Sequence, residues 1–152
     1  MIREYGIKRL VIYDSQYGNT EQIARIMGEA IGADVRPALF GSISAPELGN
    51  YDLLIVGSPT QQGKELSSIT LLLKAIPENG LKYTRVAAFD TRHKWRWVGV
   101  WGYAAPRIAR LLKDKGGDLI KPPEGFIVNS TKGPMLRGEL ERAEEWAKSL
   151  LS

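Results

Sequence analysis

The sequence predicts an α/β protein in which helices cover both faces of a five-stranded parallel sheet, the three-layer doubly wound architecture. Two observations support this prediction. Short strand-like runs alternate with amphipathic helical patterns along the whole chain. One run, Leu53–Val56, is apolar without alternation, which is typical of a strand covered by helices on both faces. A chain of 152 residues suits one domain, which we expect to span residues 1–152.

Five segments of the chain predict the strands. Each is short, is rich in strand-forming residues, and is bounded by glycine, proline or polar residues. In chain order, the predicted strands are Arg9–Tyr13, Asp34–Leu39, Tyr51–Gly57, Arg85–Phe89 and Gly125–Val128. Strands that alternate with helices in this way form parallel pairs joined by right-handed crossovers.

The helices are predicted from apolar residues that recur at the spacing of one helix face. The first helix begins near Thr20 and ends at Gly32, since glycine suits the left-handed residue that closes a helix. A brief turn or helix opened by Pro46 follows the second strand. The three remaining helices are expected at Leu66–Ile76, Ala104–Lys115 and Leu140–Leu151.

Composition excludes several classes of function. The chain has no cysteine, so it has no disulfide, no thiol nucleophile and no thiolate-bound metal. Its single histidine, His93, leaves little material for a histidine metal site or a Ser/His/Asp triad, and we expect a solvated loop residue there. No apolar run reaches the roughly 18 residues of a membrane span, which predicts a cytoplasmic protein without a membrane partner.

The net charge of +4 is spread along the chain and is not concentrated in one run. Without a basic stripe or paired aromatic signature, we expect no nucleic-acid partner. The positive charge favours an anionic cofactor or an acidic partner protein.

In a doubly wound sheet, ligands bind beyond the carboxyl ends of the strands, where the strand order reverses. The first of these loops holds hydroxyl and amide donors at Ser15, Asn19 and Thr20, and Gly18 allows close approach of the backbone. The following helix turns its unpaired N–H groups and positive dipole end to the same place. This pattern predicts a phosphate site without lysine or arginine. The alternative is that Asn19 or Thr20 only caps the helix and Gly18 eases the turn.

Two other phosphate-binding patterns fail on spacing. A dinucleotide fingerprint needs three glycines after the strand, and this loop has one. The segment Gly57–Lys64 has one residue too many for a nucleotide triphosphate loop, and Glu65 follows where a serine or threonine is needed to hold magnesium.

The motifs Ser15-Gln-Tyr-Gly-Asn-Thr20, Gly57-Ser-Pro-Thr60 and Phe89-Asp-Thr91 resemble the three cofactor loops of flavodoxin. The chain is also similar to the flavodoxin domain of flavodiiron proteins and, at Ser58-Pro-Thr60 with Gly63, to flavin-dependent quinone reductases. The resemblance implies a flavodoxin-like sheet with strand order 2-1-3-4-5 and flavin mononucleotide (FMN) as the cofactor. It implies no catalytic residue and no metal ligand.

The resemblance also assigns cofactor-binding residues. It places the phosphate on Ser15, Gln16, Tyr17, Gly18, Asn19 and Thr20. It places the flavin ring between two segments that comprise Ser58, Pro59, Thr60, Gln61, Gln62 and Gly63, and Asp90, Thr91 and Arg92. Flavodoxins commonly carry an aromatic ring after the third strand, where this chain has Gln61 and Gln62, so we expect stacking from Trp95 or Trp97, with Trp97 favoured.

The resemblance implies an electron carrier that shuttles electrons between redox partner proteins. Flavodoxins are usually acidic, whereas here the loops expected to flank the ring hold more basic residues, namely Lys64, Arg92, His93, Lys94 and Arg96, than acids, namely Glu65 and Asp90. Acidic redox proteins are therefore the expected partners. Two alternatives stay open: an FMN-dependent NAD(P)H:quinone reductase, and a flavodoxin-like scaffold without flavin.

Overall fold

The computed structural model describes residues 6–39, 42–94 and 102–152. Its strands are β1 (Arg9–Tyr13), β2 (Asp34–Pro37), β3 (Leu53–Pro59), β4 (Arg85–His93), β5 (Asp118–Leu119) and β6 (Glu124–Val128). Its α-helices are α1 (Asn19–Ile31), α2 (Ser67–Lys74), α3 (Ala104–Asp114) and α4 (Glu139–Ser149), and a 3-10 helix spans Ala45–Asn50. None of the described helices is long and apolar enough to cross a membrane.

The pairs among these strands are all parallel. The sheet runs in the predicted order β2-β1-β3-β4, and a fifth strand position lies beside β4 at the edge. That fifth position is shared by two short strands. β5 pairs with the start of β4 at Arg85↔Asp118, and β6 pairs with its end from Phe89↔Glu124. The sequence predicted β6 and missed β5. Pro122 and Pro123 lie between the two strands and offer no N–H to the ladder, which explains the interruption.

β4 extends four residues beyond its predicted end at Phe89. Asp90, Thr91, Arg92 and His93 belong to the strand, so the prediction that they form a loop was wrong, as was the prediction of a solvated loop position for His93. These polar residues stay in the sheet because neighbouring strands pair with them, on both sides for Asp90 and Thr91 and on one side for Arg92 and His93. β3 supplies the partners of Asp90 and Thr91, and β6 pairs with Asp90 to His93.

Each face of the sheet packs against two helices. The α1 and α4 layer covers alternate strand residues that include Val11, Ile55 and Phe89. The α2 and α3 layer covers their neighbours, including Ile12 and Val56. Alternation along a strand sends successive side chains to opposite faces, and β3 buries both sets, as its unbroken apolar run predicted.

The centre of the sheet is packed closely at Gly57. This residue pairs in register with Phe89, and a Cβ added at Gly57 would lie 2.0 Å from Cζ of that ring. Phe89 is held in turn by edge contacts with Phe126 and Trp146, whose ring centroids lie 6.1 and 6.5 Å away. Glycine is required here because the Phe89 ring occupies the space of any side chain.

Candidate functional site

The carboxyl ends of β1, β3, β4 and β6 surround a cleft of about 280 Å³. The structure brings most of the predicted cofactor-binding residues to its wall: Ser15, Gln16, Tyr17, Asn19, Thr20, Pro59, Thr60, Gln61, Gln62, Thr91 and Arg92. Three lining residues were not predicted as cofactor contacts, namely His93, Val128 and Thr131. Gly18, Ser58, Gly63 and Asp90 lie near the cleft and are not among its lining residues, and Trp97 lies outside the described residues.

The loop between β1 and α1 is shaped by its own side chains. Ser15 donates its backbone N–H to Oδ1 of Asp14 at 2.7 Å, and its Oγ accepts from the N–H of Gly18 at 3.0 Å. Gly18 has a φ of +93°, a left-handed conformation that suits glycine, and it is the residue that caps α1. In residues 6–39, 42–94 and 102–152, no side chain caps this helix, so the structure does not support a capping role for Asn19 or Thr20.

The start of α1 offers unused hydrogen-bond donors to the cleft. Within the described residues, the backbone N–H groups of Gln16, Tyr17, Asn19 and Thr20 donate to no protein acceptor. The first N–H groups of any helix lack partners inside the helix, and the helix dipole adds a partial positive charge there. This end of the cleft is therefore suited to an anion with several acceptor oxygens.

Two buried threonines join α1 to β4 at the back of this site. Thr20 and Thr91 are 1% and 4% exposed, and their hydroxyl oxygens are 2.8 Å apart. A hydroxyl has one donor and two acceptor positions, so this mutual bond leaves the pair able to donate one further hydrogen bond. The contact fixes both hydroxyls in the wall of the cleft.

The charges around the cleft fit a negatively charged ligand. Among the described residues, no carboxylate lines the cleft. The nearby Asp14 carboxylate is engaged by the backbone N–H of Ser15 and the hydroxyl of Ser68. The donor set is therefore what a phosphate group requires, and the residues present fit the phosphate of a mononucleotide.

The second wall of the cleft is a tight turn after β3. Gln61 and Lys64 exchange backbone hydrogen bonds of 2.8 and 3.1 Å. Gln62 and Gly63 between them both have positive φ, 50° and 82°, the combination of a type I′ turn. This turn presents the side chains of Gln61 and Gln62 to the cleft, with no aromatic ring in the turn.

Two hydroxyls at the end of β3 hold the surrounding elements in place. Ser58 is fully buried, and its Oγ accepts the N–H of Leu66 at 2.9 Å just before α2. Thr60 accepts the N–H of Ala104 at 2.9 Å at the start of α3. Ser58 therefore has a structural hydrogen-bond partner, and its contact with a cofactor stays a prediction.

Asp90 and Arg92 form an ion pair on the α3 side of the sheet. The Asp90 carboxylate is fully buried and accepts from Nε and Nη2 of Arg92 at 2.7 and 2.8 Å, and from the N–H of Ala105 at 2.9 Å. The guanidinium lies over the ring of Tyr103, 3.5 Å from its centroid. Burial raises the pKa of Asp90, and the hydrogen bonds from Arg92 oppose that rise. The charge of Arg92 is thus paired.

Glu65 is the other acid expected beside the ring, and it is also engaged. Its carboxylate is buried and accepts from Arg107 at 2.9 Å and from Thr70 at 2.6 Å. Burial acts to raise the pKa of Glu65, but the hydrogen bonds from Thr70 and Arg107 together hold it below its usual value. Asp90 and Glu65 are therefore both compensated by arginine.

The histidine at the end of β4 is a site residue that the sequence prediction missed. His93 lines the cleft, and its Nε2 lies 3.5 Å from Oγ1 of Thr131. Thr131 comes from the segment between β6 and α4, far from β4 along the chain. No local pattern indicates this contact, since it depends on the pairing of His93 with Val128 in the sheet.

A five-position parallel sheet of this order, with a cleft suited to an anion at its carboxyl edge, defines the doubly wound α/β class of protein. The sequence profile of the flavodoxin domain matches residues 10–92, more than half of the chain. The chain therefore belongs to the flavodoxin-domain family. No curated protein matches it.

Solved structures show the same fold at low sequence identity. The chain is similar to oxidised flavodoxin 1 from Bacillus cereus, with 18% identity, a TM-score of 0.78, and coverage of 95% of this chain and 97% of that one. A WrbA-like flavodoxin protein from Agrobacterium tumefaciens has 20% identity, a TM-score of 0.75 and 95% coverage of both chains. Rubredoxin oxygen:oxidoreductase from Desulfovibrio gigas has 21% identity and a TM-score of 0.64, with coverage of 94% of this chain and 35% of that one.

Proposed function

We propose that this protein binds FMN noncovalently in the cleft and carries electrons between redox proteins. The observation that supports this most directly is the set of fixed hydroxyls and backbone N–H groups at the start of α1, the latter unpaired within the described part of the chain, in a cleft that no described carboxylate lines. That set suits a phosphate dianion. When bound, the flavin supplies the electron-transfer chemistry, and the protein supplies its binding and its electrostatic surroundings.

In this proposal the protein holds the cofactor at two places. The N–H groups of Gln16, Tyr17, Asn19 and Thr20 and the hydroxyls of Ser15 and Thr20 bind the phosphate. The turn that contains Gln61 and Gln62 borders the ring, with Trp95 or Trp97 proposed to stack on it.

A carrier is favoured over a hydrolytic or transfer enzyme by the state of the acidic groups. Asp90 and Glu65 are both paired with arginine and buried, so neither is placed to exchange a proton with a substrate. The net charge of +4 supports acidic redox proteins as partners, with association rates that decrease as salt is added.

Two measurements test this function. The absorption spectrum of protein purified without added cofactor should show bound flavin, or reconstitution with FMN should produce it. The reduced protein should then pass electrons to a one-electron acceptor protein and show negligible steady oxidation of NADH or NADPH with a quinone. Sustained quinone turnover would favour a reductase, and failure to bind FMN in either preparation would favour a scaffold without flavin.

A further inference from the structure

His93 lies at the same end of the cleft as the start of α1. Side chains two residues apart on a strand share a face, so His93 lies on the same side of β4 as Thr91. Thr91 is hydrogen-bonded to Thr20 in the first turn of α1. Arg92, between them, has its guanidinium on the opposite side, against Tyr103.

The segment that contacts His93 also reaches the start of α1. Thr131, whose Oγ1 is 3.5 Å from His93 Nε2, lies two residues before Gly133. A Cβ added at Gly133 would be 2.4 Å from Oδ1 of Asn19, the first residue of α1. His93 and Thr131 therefore border the place where the cleft offers donors to an anion.

The imidazole is poorly satisfied by the protein around it. Nδ1 is buried and has no hydrogen-bond partner among the described residues. Among the described residues, Nε2 contacts only Thr131, at 3.5 Å, which is longer than an ordinary hydrogen bond. The buried Nδ1 is closed to a ligand in the cleft, so Nε2 is the nitrogen that can meet a ligand acceptor there. Polar atoms of folded proteins are almost always paired, and the weak contact of Nε2 leaves it available to such a ligand.

The charged groups near His93 leave a positive environment. Lys94 adjoins it, Lys132 adjoins Thr131, and the N-terminus of α1 adds partial positive charge. The titratable groups on neighbouring elements are Tyr17 in the cleft wall, Arg92 paired with Asp90, Glu21 paired with Arg25 on α1, and Glu124 paired with Arg142 beside β6. Asp14 at the end of β1 is engaged by the N–H of Ser15 and the hydroxyl of Ser68, and Glu139 on α4 is paired with Arg142. Each of these acids is occupied by protein donors, and within the described residues no hydrogen bond or ion pair joins one of them to the imidazole of His93.

We propose that His93 is a phosphate-contacting residue that makes FMN binding depend on pH. In this inference, which rests on the proposed function, the imidazole donates a hydrogen bond to the phosphate and adds a positive charge when it takes up a proton. Histidine is the side chain that ordinarily changes charge near neutral pH. FMN affinity therefore gains a contribution on acidification that riboflavin, which lacks the phosphate, does not share.

The first test compares the wild-type protein with His93→Gln. Dissociation constants for FMN and riboflavin are measured by flavin fluorescence quenching between pH 5.5 and 8.5. Because the free phosphate itself titrates near pH 6, the informative quantity is the ratio of variant to wild-type dissociation constants at each pH. We expect this ratio for FMN to rise by about tenfold from pH 8.5 to pH 5.5, the size of one charge-assisted hydrogen bond. The ratio for riboflavin should stay constant, and Lys94→Gln serves as a control for loss of a nearby positive charge outside the cleft.

The second test needs no variant. His93 is the only histidine in the chain, so its imidazole proton resonances are unambiguous in an NMR titration. Since binding and protonation are reciprocally linked, FMN should move the imidazole titration to higher pH, and riboflavin should leave it in place. A ratio for FMN that is the same at every pH, or an equal response to both flavins, would overturn the role of His93 while leaving FMN binding intact. Absence of FMN binding to the wild-type protein would instead refute the proposed function.

Discussion

Removing Arg92 should destabilise the protein, because the buried Asp90 carboxylate beside the cleft would lose its compensating charge. In Arg92→Met, the fully buried Asp90 carboxylate loses two hydrogen bonds and its compensating charge, and it keeps the hydrogen bonds from the N–H of Ala105 and the hydroxyl of Thr60. Deleting one member of a buried ion pair typically costs about 3–5 kcal/mol. Arg92 retains 18% side-chain exposure, so water can reach part of the pair. We therefore expect Arg92→Met to lower the free energy of unfolding by about 3 kcal/mol, the lower end of this range.

Removing both charges should be much less harmful. The double variant Asp90→Asn with Arg92→Met leaves no uncompensated charge, and an asparagine carbonyl can still accept from Ala105. We expect the free energy of unfolding of this double variant to be within about 1.5 kcal/mol of the wild-type value, so the effects of the two substitutions are strongly non-additive.

The deficit of Arg92→Met should also depend on pH in a defined direction. Burial raises the pKa of Asp90, and loss of Arg92 removes an effect that lowers it, so the pKa rises further in the variant. A carboxyl group whose pKa is higher in the folded than in the unfolded protein destabilises the fold when it is ionised. That destabilisation decreases as the pH falls through the folded-state pKa. The deficit should be largest near pH 8 and smaller near pH 5.

Urea unfolding at pH 8 and pH 5, followed by circular dichroism, measures these differences. Arg25→Met is the matched control, because its ion pair with Glu21 is exposed to solvent, which screens the two charges, and so contributes little to stability. A loss below about 1 kcal/mol for Arg92→Met, or a loss that does not shrink at pH 5, would refute the interpretation of Asp90 as a buried charge that needs its partner.

Three further outcomes follow from the packing and the site. Gly57→Ala should lower the free energy of unfolding by at least about 2 kcal/mol in urea, because the new methyl group meets the Phe89 ring. Thr20→Val, which keeps the side-chain shape, should weaken FMN binding at least about tenfold and leave riboflavin affinity nearly unchanged. Flavin fluorescence quenching measures both affinities, and equal losses for both ligands would place the phosphate elsewhere. Trp97→Ala should reduce the quenching of tryptophan emission on FMN binding more than Trp95→Ala does, and no effect of either would exclude stacking by this segment.

Periodicity predicted the parts of the fold that depend on local pattern. The apolar run of β3 indicated burial on both faces, and Gly32 indicated the end of α1, where it has a φ of 67°. The family motifs led to residues that line one cleft, since parallel strands bring their carboxyl ends to a single edge.

The end of β4 could not be predicted because its polar residues resemble a loop. The Asp90 carboxylate is held by Arg92, two residues on in the same strand, and by the N–H of Ala105, which comes from α3. His93 meets Thr131 only after β6 has paired with β4. Such contacts depend on tertiary structure and leave no periodic signal in the sequence.

The most direct test of the account is a comparison of FMN and riboflavin affinities for the flavin-free protein. If the start of α1 holds the phosphate, FMN makes at least two charge-assisted hydrogen bonds, of about 1.5–3 kcal/mol each, that riboflavin cannot make. FMN should then bind at least about 100-fold more tightly than riboflavin, at constant pH and ionic strength. Equal affinities for the two flavins, or no binding of either, would contradict the account.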